Sequence, residues 1–268
     1  SEGAGGTVTV SLSTSHDGAV QTWWLDRPAA RNAMDLEMWQ TLIELADHVR
    51  QSDEVRVVVL RGRGDHFSGG ADIERLGRSL AADVDGTSYR ATNAAAERAV
   101  ISLPVPTIAA IDGFCVGGGV QVAICCDIRL ATPRAQFGVT PARLGISYPA
   151  SGIQRLINVV GLPWASQLLL TGDIVSVERA VQMNLVHEVV DDLDSHLGTV
   201  IATLLSRSSF TQSSVKAILT ALEYGDDVSD IGRQQERASL TAGDLDEGLA
   251  AFREKRSPNF GTRRRDGL

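Results

Sequence analysis

The chain has 268 residues, 43% of them hydrophobic and 22% charged, the balance of a soluble globular protein large enough for one big domain or a core with an appendage. A formal net charge of −8 argues against nucleic acid as the main partner, because phosphate binding draws on clustered Lys and Arg. No apolar run approaches the ~18 residues of a membrane span, and no basic segment followed by an apolar stretch marks a signal peptide.

In chain order, residues 7–13 (TVTVSLS) and 19–26 (AVQTWWLD) are expected as two strands joined by a polar loop that ends in Gly18. Met34, Met38, Leu42, Leu45 and Val49 recur at helical spacing and predict an amphipathic helix. VRVVVLRG (55–62) is a continuous β-branched run, expected as a strand buried on both faces. A loop, GRGDHFSGGAD, and a short helix opened by IERL come next. Residues 83–102 are alanine-rich and predicted helical, and TIAAID (107–112) reads as another buried strand. Three glycines then precede a helix over 119–126, which feeds a strand at 127–132. SGIQRLINVVG, PWASQLLLTG and SVERAVQMNL read as short helices punctuated by Gly and Pro, and LVHEVV (185–190) as a last strand. Everything after about residue 192 reads as helical. Strand and helix alternate at short intervals, which makes this an α/β protein, divided into a core over 1–191 and a helical region over 192–268.

Cys115, Cys125 and Cys126 all lie in apolar surroundings and read as reduced core thiols of a cytoplasmic protein. The five histidines show no metal-ligand spacing, so no metal site is expected. No G-x-S-x-G elbow supports a serine hydrolase. Arg263, Arg264 and Arg265 form a basic cluster expected as a solvated tail.

Two loops share one design. In HFSGGADIE (66–74) and GFCVGGGVQ (113–121) a strand ends, glycines follow and a helix starts. Backbone N–H groups at a helix start have no internal partner and carry partial positive charge. Glycine at 117–119 removes every Cβ that would hold a ligand carbonyl away. One N–H from each loop, aimed at one oxygen, would form an oxyanion hole. Tight helix–strand packing would use the same glycines, and spacing alone leaves both readings open.

LDRPAARNAM (25–34), HFSGGADIE, AAIDGFCVGGGVQVAICCDIRLAT, AQFGVTPARLGISYPASGIQRL (135–156) and AFREKRSPNF (251–260) together resemble the crotonase, or enoyl-CoA hydratase/isomerase, superfamily. The resemblance spans nearly the whole chain in order. It implies a crotonase-type spiral of repeated ββα units with a C-terminal helical trimerisation region, and a homotrimer or homohexamer. It implies an acyl-CoA thioester as ligand, with coenzyme A entering as part of the substrate and no separate cofactor. The thioester oxygen would accept from the amides of Ala71 and Gly118. Arg27, Ala33, Gly70, Asp72, Ile73 and Gly117 would line the CoA and substrate path, with Pro141 on the acyl side. Phe252 and Lys255 would reach CoA from the C-terminal helix, across a subunit boundary.

Against the family pattern, Gln121 and Pro141 occupy the positions of two catalytic glutamates, and neither can serve as a general acid or base. Losing a positioned acid or base typically costs about 10²–10⁴-fold, so ordinary hydratase activity is not expected. Gln121 would position water or substrate. Tyr148 is the candidate for proton transfer, on condition that its pKa is lowered. His66, Glu74 and Arg143 are weaker candidates, each also explained as a surface or ion-pairing residue. Three readings follow: an enolate-stabilising acyl-CoA enzyme with unusual acid/base machinery, a catalytically silent acyl-CoA binder, or a decarboxylating or C–C-cleaving branch.

Overall fold

The computed structural model describes residues 10–16, 18–82 and 87–261. In chain order these form β1 (Val10–Ser15), β2 (Val20–Leu25), α1 (Leu36–Gln51), β3 (Val57–Gly62), α2 (Ile73–Ala82), α3 (Thr87–Ile101), β4 (Thr107–Ile111), β5 (Phe114–Val116) and α4 (Gly118–Ala123). Next come β6 (Ile128–Ala131), β7 (Gln136–Gly138), α5 (Pro141–Leu144), α6 (Ala150–Thr171), β8 (Ile174–Ser176), α7 (Val177–Gln182) and β9 (Glu188–Val189). Four helices close the chain: α8 (Leu193–Leu205), α9 (Ser209–Tyr224), α10 (Ser229–Ser239) and α11 (Asp244–Glu254).

The larger sheet has the order β1-β2-β3-β4-β6-β9, with β1 and β2 antiparallel and every later pair parallel. Side chains alternate across a strand, and both faces of this sheet are covered. Val57 and Val59 of β3 point into one apolar layer, shared with Leu193, Leu197 and Ile201 of α8. Val58 and Leu60 point into the other, shared with Met38, Leu42 and Val49 of α1. That is why these strands read as unbroken apolar runs. Burying each large aliphatic side chain of α8 is worth about 2 kcal/mol, so this helix is integral to the sheet's packing. The expected division at residue 191 therefore falls inside one hydrophobic layer.

The smaller sheet has the order β5-β7-β8. β4 and β6 each lie in the larger sheet, and β5 and β7, which follow them, lie in the smaller one. β3 repeats the move, because Ser68 bridges to Cys115 of β5. Each turn of the chain thus contributes a strand to each sheet and then a helix, the expected ββα spiral.

Several expectations shift in detail. β1 runs to Ser15 rather than stopping at 13, and residues 7–9 lie outside the described ones, as do 83–86 and the basic cluster 263–265. The helix expected at 119–126 is α4, ending at Ala123, and the strand expected at 185–190 pairs only over Glu188–Val189. The helix opened by IERL continues to Ala82. The two helices read on either side of Gly161 abut in α6, and the helical geometry breaks between them at Gly161, with φ 78° and ψ 158°, ahead of Pro163.

Candidate active site

The two glycine loops lie against each other because the backbone stitches them together. Ser68 N donates to Phe114 O at 2.8 Å and Val116 N to Ser68 O at 3.0 Å, and Gly117 N ties the second loop to β7 through Gly138 O at 2.8 Å. From the other side Met34 N donates to Gly70 O at 2.6 Å and Asp72 N to Met34 O at 2.8 Å. Gly117, the N-cap of α4, has φ 52° and ψ −114°, and a Cβ there would lie 3.6 Å from Gly70 Cα and 3.9 Å from Ala71 N. A Cβ on Gly119 would come within 2.8 Å of Ser68 Cβ and 3.0 Å of Ser68 O. Gly119 is therefore demanded by close approach of the loops, and Gly117 by its positive φ. Among the described residues, neither Ala71 N nor Gly118 N donates a hydrogen bond.

Both amides belong to residues lining one cavity of about 380 Å³. Gly70, Ala71, Gly117 and Gly118 form one wall, Pro141, Ile146 and Tyr148 from the segment around α5 another. Asn93 and Gln121, 4% and 7% exposed, are its most buried polar members. A neighbouring cavity of about 220 Å³ shares Gly69, Val116 and Ile174 with it and adds Ala33 and Arg31.

Of the sequence-derived site residues, Gly70, Ala71, Ile73, Gly117, Gly118, Gln121, Pro141 and Tyr148 line the larger cavity and Ala33 the smaller. Arg27 and Asp72 line neither. Arg27 Nη2 donates to Asp72 Oδ2 at 2.8 Å and Arg27 Nη1 to Ala33 O at 2.6 Å. Buried Asp35, the N-cap of α1, pairs with both Arg27 and Arg75. Burial pushes the Asp72 carboxyl up, but the Arg27 guanidinium, the Arg75 backbone N–H and the Arg75 charge outweigh it and hold that carboxyl below its ordinary value. These side chains fix the loop that carries Ala71. Phe252 is 84% exposed and Lys255 caps the end of α11 in a left-handed conformation, both away from the cavities of their own chain.

Tyr148 does not meet the condition set for a proton-transfer base. Burial, then the nearby Glu97 and Cys125, raise its phenol above the ordinary value, so it stays protonated and does not serve as a base. His66 Nδ1 accepts from Phe114 N at 3.2 Å with its ring 4.7 Å from that of Phe114, outside the cavity lining. Glu74 is exposed on α2 and also outside it. Arg143 lines the cavity at its exposed side and pairs with Asp173 at 3.4 Å.

Glu97 was not visible as a site residue in the sequence. Asn93 and Glu97, one turn apart on α3, share a helix face, and both are buried. Gln121 Nε2 donates to Glu97 Oε1 at 2.6 Å and to Asn93 Oδ1 at 3.1 Å. Burial pushes the Glu97 carboxyl up to about 7, against the opposing pull of Gln121 and of the Arg155 guanidinium. The carboxylate missing from position 121 thus has a counterpart one helix back, behind the cavity wall. Its sequence signal is thin: two polar residues four apart on the apolar side of an alanine-rich helix.

The three cysteines are buried, with thiols pushed up by burial, that of Cys126 to about 12. Among the described residues no group of His, Cys, Asp or Glu has the arrangement of a metal site, and no helix is long and apolar enough to cross a membrane.

Residues 16–263 match the family model described as enoyl-CoA hydratase/isomerase. The chain is 33% identical over 249 residues to the crotonyl-CoA hydratase of Syntrophomonas wolfei, covering 88% of this chain and 92% of that one. It is 30% identical over 251 residues to the mitochondrial Delta(3,5)-Delta(2,4)-dienoyl-CoA isomerase of Dictyostelium discoideum, covering 88% and 85%. Among solved structures it is similar to an enoyl-CoA hydratase/carnithine racemase from Magnetospirillum magneticum, with a TM-score of 0.89, 32% identity and coverage of 96% and 97%.

Proposed function

The chain belongs to the enoyl-CoA hydratase/isomerase family, and from that premise we propose that it binds an acyl-CoA thioester with the thioester oxygen between the amides of Ala71 and Gly118 and stabilises the enolate that forms there. The observation that carries this reading is the pair of undonated amides on abutting loops, both at the wall of one cavity. A fixed pair of donors is worth most where charge develops, and removing one donor from such a site costs about 3 kcal/mol of transition-state stabilisation.

The reaction differs from paired-glutamate hydration. The cavity is lined by no Asp, Glu, His, Lys or Cys side chain among the described residues. Pro141 has no functional group, Gln121 does not titrate, and Tyr148 is held protonated. Chemistry that needs the oxyanion hole but no lining carboxylate, such as decarboxylation or C–C cleavage, fits this wall better than water addition. The same absence favours a second reading, an acyl-CoA binder without turnover.

Arg31, exposed beside the smaller cavity, offers a cation to the CoA moiety. Exposed apolar side chains on α9 and α11, among them Leu219, Leu222, Leu249 and Phe252, and Leu240 just past α10 support assembly into a homotrimer or homohexamer, in which Phe252 and Lys255 would reach a neighbouring site. The test is incubation with saturated, 2-enoyl, 3-enoyl and malonyl-type CoA thioesters in D₂O, reading product masses. Loss of CO₂ or chain cleavage, with solvent deuterium taken up at the α-carbon of the product, and no hydration is the expected result. Efficient hydration would overturn the departure from the family mechanism. Binding without any mass change would favour the silent binder.

A further inference from the structure

We propose that Glu97 is a positioning residue that, with Asn93, holds the Gln121 amide with its carbonyl oxygen turned to the cavity as a fixed acceptor, and that the acyl chain taken by this site carries a hydroxyl group to meet it. The inference rests on the acyl-CoA reading and adds a substrate class to it.

A glutamine amide has two N–H donors and one carbonyl acceptor. Both donors of Gln121 are engaged, by Glu97 Oε1 at 2.6 Å behind the wall and by Asn93 Oδ1 at 3.1 Å within the lining. A reversed amide would set its oxygen against the Glu97 carboxylate, so Glu97 fixes its sense, while Asn93 accepts through Oδ1 and has its buried Nδ2 unpartnered among the described residues. The Gln121 carbonyl oxygen accepts nothing among the described residues, and Gln121 lines the cavity. Gly152 makes the arrangement possible: a Cβ there would lie 2.8 Å from Tyr148 Cε1 and 3.3 Å from Gln121 Nε2. The acceptor is therefore built into the wall and unpaired among the described residues.

Gly118 and Gln121 lie three residues apart on α4, on one face, with a rise of about 4.5 Å between them. A thioester oxygen at the Gly118 amide would put the third or fourth acyl carbon beside the Gln121 oxygen. A hydrocarbon chain leaves that acceptor unpaired, and a hydroxyl there satisfies it. One such hydrogen bond corresponds to a preference of about ten-fold.

The sense of the amide depends on Glu97 being an acceptor, so the preference follows its ionisation. Gln121 on α4, Cys125 just past it, Tyr148 ahead of α6, Arg155 on α6 and Tyr224 on α9 are the polar and titratable groups that act on Glu97 or feel its charge. Arg155 is itself tied to Glu223 and to Ile124 O. The carboxyl, pushed up to about 7, is the one among them that changes charge near neutrality.

The test is calorimetric binding of butyryl-CoA, both enantiomers of 3-hydroxybutyryl-CoA and 4-hydroxybutyryl-CoA to the whole protein at pH 6 and 8, in wild type and Glu97→Gln. At pH 8 the wild type should bind one hydroxylated thioester about ten-fold more tightly than butyryl-CoA, with a smaller ratio at pH 6. In Glu97→Gln the ratio should no longer depend on pH, although the chain still binds butyryl-CoA. Equal wild-type affinities at pH 8 would mean that water satisfies Gln121, and would overturn the proposal. So would a pH dependence that survives in Glu97→Gln. Failure of every thioester to bind would instead remove the acyl-CoA reading, and the proposal with it. The wild-type comparison decides the matter even if the variant does not fold.

Discussion

Arg27 and Asp72, 45 residues apart, meet at 2.8 Å and join the turn ahead of α1 to the loop that carries the Ala71 amide. Both side chains are largely withdrawn from water, at 13% and 17% exposure. Arg27→Met should lower stability by about 2 kcal/mol, since removing one partner of a partly buried pair leaves the other unsatisfied. Because the Asp72 pKa is depressed in the fold, its contribution is present above the unfolded value of 3.8 and is lost as pH falls through the folded one. Urea unfolding should therefore show the wild type losing more stability than Arg27→Met as pH drops below about 4. Equal losses would remove the pair from the account.

Adjacent glycines should respond differently to a methyl group. In Gly119→Ala the new Cβ meets Ser68 Cβ at 2.8 Å and the Ser68 carbonyl at 3.0 Å, and the loop backbone has to shift. In Gly118→Ala the nearest atom is Met34 Cγ at 3.2 Å, a flexible side chain. Thermal unfolding should show Gly119→Ala costing about 1–3 kcal/mol and Gly118→Ala clearly less. The reverse order would contradict the packing of the two loops.

The buried Glu97 carboxyl predicts a pH dependence of opposite sign. Its folded pKa, about 7, lies above the ordinary 4.5. Its contribution is fully present below pH 4.5, falls as the unfolded chain ionises, and levels off above about 7. The whole change is of the order of 3 kcal/mol. Glu97→Gln, which keeps an acceptor for Gln121, should abolish this component, so that variant and wild type diverge as pH rises from 5 to 8. Parallel stability curves would show that Glu97 is ionised throughout.

Restoring the family's glutamates should not be enough to restore hydration. In Gln121→Glu the new carboxylate would meet Glu97, whose oxygen sits 2.6 Å from the present amide nitrogen, and like charges that close share a proton. Gln121→Glu with Pro141→Glu should hydrate crotonyl-CoA measurably only when Glu97→Gln is added. Equal rates with and without that third change would place Glu97 too far from position 121 to matter.

Much of the architecture was legible in the chain. The runs around β3 and β4 announced strands buried on both faces, and the Met34 to Val49 spacing announced α1, because each pattern spans enough residues to show its period. Gly161 and Pro163 marked the kink of α6. β5, β7 and β8, three residues each, are too short to show any period. The two loops were legible as a pair because each sets glycines between a strand and a helix start, although spacing alone left an oxyanion hole and tight packing both open. Glu97 was not, since its meaning depends on Gln121, 24 residues away on another helix. Tyr148 was placed in the cavity by its motif, but the direction of its pKa depends on packing that no local pattern reveals.

The central claim is that a thioester oxygen lies between the Ala71 and Gly118 amides, and carbon-13 NMR of [1-¹³C]butyryl-CoA bound to the protein tests it most directly. Two donors on one oxygen polarise the carbonyl, so the bound resonance should move downfield of the free thioester. The shift should be lost in a folded Gly118→Val variant. A bound thioester whose carbonyl resonance matches that in water would contradict the account.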